Sequence, residues 1–266
     1  MNNYAILVCY YGEYYKKSLR TFEELLKQSF GNDFEILVVF NSTYPEVETN
    51  KHLSIQGSNS GWEFSGWDEG VKYLERRYQL NDSDTLIFAN DTFCQHRKFT
   101  FINKYIFSKA FRNIRFKRNL VGDINSLSEK FCLAGLVGQS WISTYLFGSN
   151  YYNIKLLMPF DSVGSDAVLS KLVTINDNEL HISNSSKNIT LHLTSWFLGN
   201  SEGWYKKEGV DNTLLLKKVD AVINEKLFSL KALVKEIQIE SVYENKLYWF
   251  LRKAQNKLFD SLSRLG

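Results

Sequence analysis

The sequence predicts an α/β fold around a mainly parallel sheet, and three observations carry that reading. First, Tyr4 to Tyr11 (YAILVCYY), Phe34 to Phe40 (FEILVVF) and Asp84 to Ala89 (DTLIFA) are short, nearly continuous apolar runs. A strand without a polar face is buried on both sides, as in parallel sheets. Second, helical spacing fills the stretches between them: Leu19, Phe22, Leu25, Leu26 and Phe30, then Phe64, Trp67, Val71 and Leu74. An apolar stripe at that spacing is the core-facing side of a helix. Third, parallel neighbours need a long crossover, and a helix is the usual one.

Taken in order, strand Tyr4 to Tyr11 breaks at Gly12, and a helix follows over Lys16 to Phe30. Gly31-Asn32-Asp33 is a stop signal. Strand Phe34 to Phe40 completes a β-α-β unit. His52 to Gln56 is a short third strand, Gly57 to Gly61 a polar turn, Phe64 to Leu80 a helix, and Asp84 to Ala89 a fourth strand ending at Asn90-Asp91-Thr92. Residues 131 to 148 are apolar with glycine breaks and read as strands on the main sheet. Asn188 to Phe197 (NITLHLTSWF) alternates and reads as a strand. Val219 to Glu236 and Glu240 to Leu265 read as helices. The expected organisation is a domain over 1–215, divided into halves 1–95 and 96–215, and a helical appendage over 216–266.

Composition sets the frame. The chain has 266 residues, 44% hydrophobic and 23% charged. These values are globular and exclude a disordered, collagen-like or coiled-coil chain. A fold of this size buries roughly 70–75% of its unfolded surface and needs no staples. Lysine and arginine number 32 against 29 acids, a net charge of +3, so no nucleic-acid partner is expected. Cys9, Cys94 and Cys132 are far apart and in no metal spacing, which fits a reducing, cytoplasmic setting. The N-terminus lacks a basic region and a small-residue cleavage site, so no secretory leader is expected. No apolar run reaches the roughly 18 residues of a spanning helix.

In open α/β sheets ligands sit at the carboxyl ends of the strands. The suggestive residues gather there. Asn90-Asp91-Thr92 offers either a carboxylate for Mg²⁺ or Mn²⁺ on a diphosphate, or an Asx turn. The stretch Gly57 to Gly70 (GSNSGWEFSGWDEG) carries Gly61, Gly66 and Gly70, which allow close approach by a ligand or by another strand. Trp62 and Trp67 could stack on a ring. No P-loop, GxGxxG after the first strand, Ser-His-Asp set, His-Glu-x-x-His or cysteine cluster is present.

The order strand, helix, strand, Asn-x-Gly loop, helix, strand and Asp91 resembles the nucleotide-binding half of GT-A glycosyltransferases. More narrowly, Ser58 to Trp67 (SNSGWEFSGW) followed by Phe88 to Thr92 (FANDT) resembles bacterial polysaccharide-cluster proteins of the rhamnan synthesis F-like group. That group carries an Asn-x-Gly-x-Asp-Phe-Gly-Ala-Tyr-type stretch and then Asn-Asp-Ser. Glu63 stands where the group often has Asp, and Asn-Asp-Thr replaces the usual Asp-x-Asp. The resemblance covers roughly residues 1–95. It implies a GT-A-like fold and transfer of a sugar from a nucleotide-sugar donor to a surface glycan of lipopolysaccharide or capsule type, either free or lipid-linked. By that resemblance Tyr10, Tyr11 and Asn41 line a base pocket. Asn59 and Gly61 contact nucleotide or ribose, with Glu63, Trp67 and Asn90 nearby. Asp91 faces the diphosphate, with or without Mg²⁺ or Mn²⁺.

An inverting enzyme of this kind needs a carboxylate to take the acceptor proton. Asp161 and Asp166, in the loop DSVGSD, are the candidates, Asp166 alternatively capping the helix after it. His192 is a late metal or phosphate ligand, or a structural residue. Thr92 to Gly122 carries eight Lys and Arg before its first acid, with interleaved aromatics. It reads as a solvated face, a site for a diphosphate-linked acceptor or anionic membrane, or an RNA surface. Leu247, Leu251, Ala254, Leu258, Leu262 and Leu265 form a helical stripe flanked by Lys246, Arg252, Lys253, Lys257 and Arg264. That helix either docks on the protein or lies on a membrane surface, peripherally on the inner face of the plasma membrane. The alternative function is a non-catalytic nucleotide or RNA-binding module.

Overall fold

The computed structural model describes residues 2–42, 51–95, 98–114, 117–176, 179–199 and 212–262. His96, Arg97, Arg115, Phe116, Arg264 and Leu265 of the stretches above lie outside them, as do the side chains of Lys257, Leu258 and Leu262.

The chain opens as β1 (Asn3–Cys9), α1 (Gly12–Phe30), β2 (Glu35–Phe40), β3 (Leu53–Gln56), α2 (Trp62–Arg77) and β4 (Thr85–Asn90). It continues as α3 (Phe101–Phe111), β5 (Asn119–Leu133), β6 (Leu136–Asn150), α4 (Tyr151–Leu157) and α5 (Ser162–Ser165). The small β7 (Val173–Asn176) and β8 (Glu179–Ile182), then α6 (Lys187–Leu198), α7 (Asn212–Val234), β9 (Gln238–Ser241) and α8 (Lys246–Leu262) complete it. Among the described residues the main sheet has seven strands in the order β3-β2-β1-β4-β6-β5-β9. The first four are mutually parallel, β6 is antiparallel to both neighbours, and β9 is parallel to β5. The architecture is therefore mixed α/β with a mostly parallel central sheet.

Every residue of β1 is buried, which is what its unbroken apolar run requires. Alternate side chains feed two layers. Ala5, Leu7, Ile36, Val38 and Ile87 pack against Phe22, Leu25 and Leu26 of α1 and Phe107 and Phe111 of α3. Tyr4, Ile6, Val8, Leu37, Val39 and Phe88 pack against Phe64, Trp67, Val71 and Leu74 of α2, with Phe228 of α7. Gly66 and Gly70 are there for contact. A Cβ on Gly66 would lie 2.9 Å from the Val8 side chain, and one on Gly70 2.8 Å from Ile6. These two glycines serve helix–sheet packing.

A long hairpin, β5 and β6, turns at Ala134-Gly135, both with positive φ as a two-residue turn of this hand demands. Its outer part carries a third apolar cluster: Phe131 and Trp141 with Ile189, Leu193 and Phe197 of α6 and Leu215, Val219, Ile223 and Leu227 of α7.

Three sequence expectations change. Residues 187–198 are a helix, not a strand: Ile189, Leu193 and Phe197 recur every four residues and are its buried side. Helical contact overrides the β-branched alternation. Gln238–Ser241 forms an edge strand that takes up the expected start of the last helix at Glu240, and the helix begins at Lys246 instead. The 215/216 boundary falls inside α7. Among the described residues beyond it, α7 packs on β6 and β9 extends the sheet.

Candidate functional site

A cleft of about 950 Å³ opens where the carboxyl ends of β1 and β4 meet. The chain passes from β1 outward through β2 and β3, then returns to the other side of β1 as β4. Such a reversal of strand order leaves a crevice at the strand ends. Tyr10, Tyr11, Asn41, Asn59, Glu63, Asn90, Asp91 and His192 all line it.

One wall comes from the first half. Tyr10 and Tyr11 meet edge to face, centroids 4.9 Å apart, and Trp62 lies 5.7 Å from Tyr10. Asn59 and Trp62 have positive φ, 53° and 55°, so the loop into α2 is held in a conformation that non-glycine residues rarely adopt. Asn41 donates from its amide to the Trp62 carbonyl at 2.7 Å. The side-chain oxygens of both Asn41 and Asn59 are buried without a hydrogen-bond partner. A buried polar atom left unpaired costs about 1–3 kcal/mol.

Asp91 is 2% exposed. One of its oxygens accepts the backbone N–H of Tyr10 at 2.7 Å and of Tyr11 at 2.6 Å. Burial pushes its carboxyl up to about 6, those two N–H groups opposing the rise. Glu63 borders the cleft but has protein on its other sides. Burial pushes it up to about 7, with the charges of Glu225 and Asp91 adding and an Asn90 hydrogen bond at 3.4 Å opposing. Thr92 closes the turn by donating N–H and O–H to Asn90. The Asx turn and the cleft position thus coexist.

The opposite wall holds His192, a candidate from the sequence, among residues of β6, α6 and α7 that the sequence had not joined to the site. Trp141 of β6 and His192 and Trp196 of α6 form a row, with centroids 5.9 and 6.1 Å apart. Glu225 of α7 accepts the Thr144 N–H at 3.0 Å and its O–H at 3.2 Å. Lys226 is wholly buried behind this wall, 4.2 Å from the Trp141 ring centroid, 5.6 Å from that of Trp196 and 3.8 Å from a Glu225 oxygen. Its ammonium has no hydrogen-bond acceptor, and burial pulls it down to about 8 against the pull of Glu225. Burial, then the Lys226 charge, also lowers His192, keeping the imidazole neutral at pH 7.

No family model matches the chain. No curated protein matches it in sequence either.

Four expected site residues lie off the cleft. Trp67 is fully buried, donates its indole N–H to the Ala89 carbonyl and packs on Phe64, Phe88, Phe147 and Phe160. Trp62 takes the cleft position instead. Gly61 packs on Asp161, and a Cβ there would lie 2.1 Å from an Asp161 oxygen. Asp161 caps α5 through the Gly164 N–H at 3.0 Å and accepts from Asn224 at 2.9 Å. Asp166 is exposed and accepts the N–H groups of Val168 and Leu169, which holds its carboxyl below the usual range. It caps a short turn and does not reach the cleft.

The basic stretch is largely engaged in structure. Lys104 pairs with Glu24, Lys109 with Tyr248, Lys117 with Glu240 and Arg118 with Glu236. Arg112 donates to the Gln28 and Ser29 carbonyls. All three cysteines are free.

Among the described residues no three His, Cys, Asp or Glu side chains converge on a point that could hold a metal ion. A Mg²⁺-type ion shared with substrate phosphates asks for less, one or two carboxylates and water. Asp91 and Glu63 fit that smaller demand. Both are crowded, raised carboxyls, and the side-chain interactions that shift them include no cation. His192 stands on the other wall.

Proposed function

We propose that this chain is a glycosyltransferase that moves a sugar from a nucleotide-sugar donor to a glycan acceptor of the surface-polysaccharide type, on a GT-A-like fold. One observation carries the reading. A single cleft at the strand-order reversal joins two chemically different walls. The first offers aromatic rings with the side chains of Asn41, Asn59 and Asn90 beside them, suited to a base. The second offers a row of aromatic rings beside Glu225, suited to the apolar face and hydroxyls of a sugar.

In this mechanism the donor lies along Tyr10, Tyr11, Asn41 and Asn59, and its diphosphate points toward Asp91. Asp91 and Glu63 would hold a Mg²⁺ or Mn²⁺ ion, which when bound neutralises charge on the leaving diphosphate. The acceptor ring rests on Trp196 and His192. Glu225 takes the proton from the attacking hydroxyl, in the role the sequence had given to Asp166. Thr144 fixes one Glu225 oxygen and Lys226 balances its charge. Most of the acceleration comes from holding the two reactants in line and from electrostatics.

The test is a thermal-shift panel of UDP, GDP, CDP, dTDP and CMP, each with and without Mn²⁺. Occupancy at 100 times the dissociation constant stabilises the native state by about 2.7 kcal/mol. One nucleotide raising the melting temperature supports the reading and gives the donor class. No shift with any of the five in folded protein overturns it.

A further inference from the structure

The last helix is rotated relative to its leucine stripe. Tyr248 packs on the core and polar bonds hold the rest of its inward side. Arg252 donates two bonds of 2.9 Å to Asp123, and its guanidinium lies 4.3 Å from the Tyr243 ring centroid. Gln255 is buried, accepts from Thr100 at 2.7 Å and donates to Asn103 at 3.1 Å. Tyr248 accepts from Lys109 at 2.9 Å. Residues 248, 252 and 255 share one side of a helix. Three large apolar residues are left outside. Leu247 is 59% exposed, Trp249 49% and Phe250 63%, while Leu251 and Ala254 are half-buried at the edge.

The neighbouring α3 also exposes apolar residues. Phe101 is 76% exposed and Tyr105 50%, and the Tyr105 and Tyr248 rings are 6.4 Å apart. Isolated exposed apolar residues are ordinary, but five on two adjoining helices make a patch of the kind that marks an interaction surface. Its outward charges are mainly basic. Lys246 and Lys253 stand among the exposed rings of α8, whereas Lys104 is paired with Glu24 and Arg252 with Asp123. Lys253 places its ammonium 3.8 Å from the Trp249 ring centroid.

We infer that the outer face of α3 and α8 docks on an anionic lipid bilayer. Trp249, Phe250 and Leu247 enter the interface while Lys246 and Lys253 meet the headgroup phosphates. Charge decides for this occupant. A second copy would bring lysines against lysines, whereas an anionic bilayer complements them. Seating through Tyr248, Arg252 and Gln255 leaves those three residues free without unfolding anything. Among the described residues no helix is long and apolar enough to cross a membrane, so the contact is at the surface. The inference stands apart from the proposed activity and is tested without it.

The experiment is co-sedimentation of the full chain with vesicles of phosphatidylcholine alone or mixed with phosphatidylglycerol, read together with tryptophan emission. The mixed vesicles should bind the chain with a blue shift, neutral ones should bind it at least about tenfold less, and added salt should release it. The double variant L247S/F250S should lose about tenfold or more in binding, with an unchanged melting temperature because both side chains are already in water. Equal binding to both vesicle types, no binding to either, or full binding by the variant would overturn the inference. So would a concentration-dependent dimer that the same double variant dissolves, since that result assigns the face to a second copy.

Discussion

Asp91, at the end of β4, accepts the backbone N–H of Tyr11 at 2.6 Å and so fixes the turn that leads from β1 into α1. The carboxylate is buried and shares its end of the cleft with Glu63. Both carboxyls sit above their ordinary values, Asp91 at about 6 and Glu63 at about 7. The folded state therefore holds protons that the unfolded chain releases near pH 4. Stability from these groups is full below about pH 4 and is lost as pH rises through 6 to 7. Glu63→Gln should flatten that decline and raise the stability at pH 7.5 by on the order of 1–3 kcal/mol, seen as a higher melting temperature. Melting curves from pH 4 to pH 8 check this. A steeper decline in the variant would reverse the sign.

Glu225→Gln should lower transfer about 10²–10⁴-fold, the range for loss of a general base. The Thr144 N–H and O–H can still bond to the amide oxygen, so the fold and the nucleotide-induced thermal shift should persist. The two readouts together separate a missing base from a collapsed site.

Asp166→Ala removes a cap from an exposed turn. It should cost about 1 kcal/mol and leave turnover near that of the unaltered chain. Asp161→Ala should cost about 2 kcal/mol, because Gly164 N–H and the buried Asn224 amide both lose their acceptor. Urea melts of the two variants beside a turnover assay test the pair. Turnover abolished in folded Asp166→Ala would return that residue to the mechanism.

Two tryptophans should behave oppositely. Trp67→Ala empties a site among four phenylalanines and should destabilise by about 3–5 kcal/mol. Trp196→Ala should keep most of the stability and the nucleotide shift while raising the acceptor KM. Denaturation and steady-state kinetics on both variants discriminate the roles.

The central strands were readable because β1, β2 and β4 lie between two helical layers and tolerate no polar position. The first wall was readable for a related reason: the polar residues directly after those strands can only lie at the sheet's end. Trp67 could have been placed from sequence. It shares the face of Phe64, Val71 and Leu74, so the tryptophan free to reach a ligand is Trp62, five residues earlier and roughly 140° away around the helix. The second wall was hidden. His192 and Trp196 belong to a helix whose β-branched residues mimic a strand, and only tertiary contact breaks the tie. Glu225 sits in an ordinary amphipathic segment, and nothing local says that α7 runs along β6. The seating of α8 was equally hidden, because a leucine stripe gives no hint that the inward side is rotated to Tyr248, Leu251, Arg252 and Gln255.

The three apolar clusters have a dynamic consequence. Two of them clamp the central sheet from either face, while the third holds the outer hairpin, α6 and most of α7. Cooperative opening follows such clusters. Amides of α6 should therefore exchange with deuterium sooner than those of β1, through an excursion that parts the Trp196 wall and leaves the Asp91 wall intact. A molecule bound across both walls would work as a rivet, and its signature would be slowed exchange in α6, well away from the strand ends where its charged end lies.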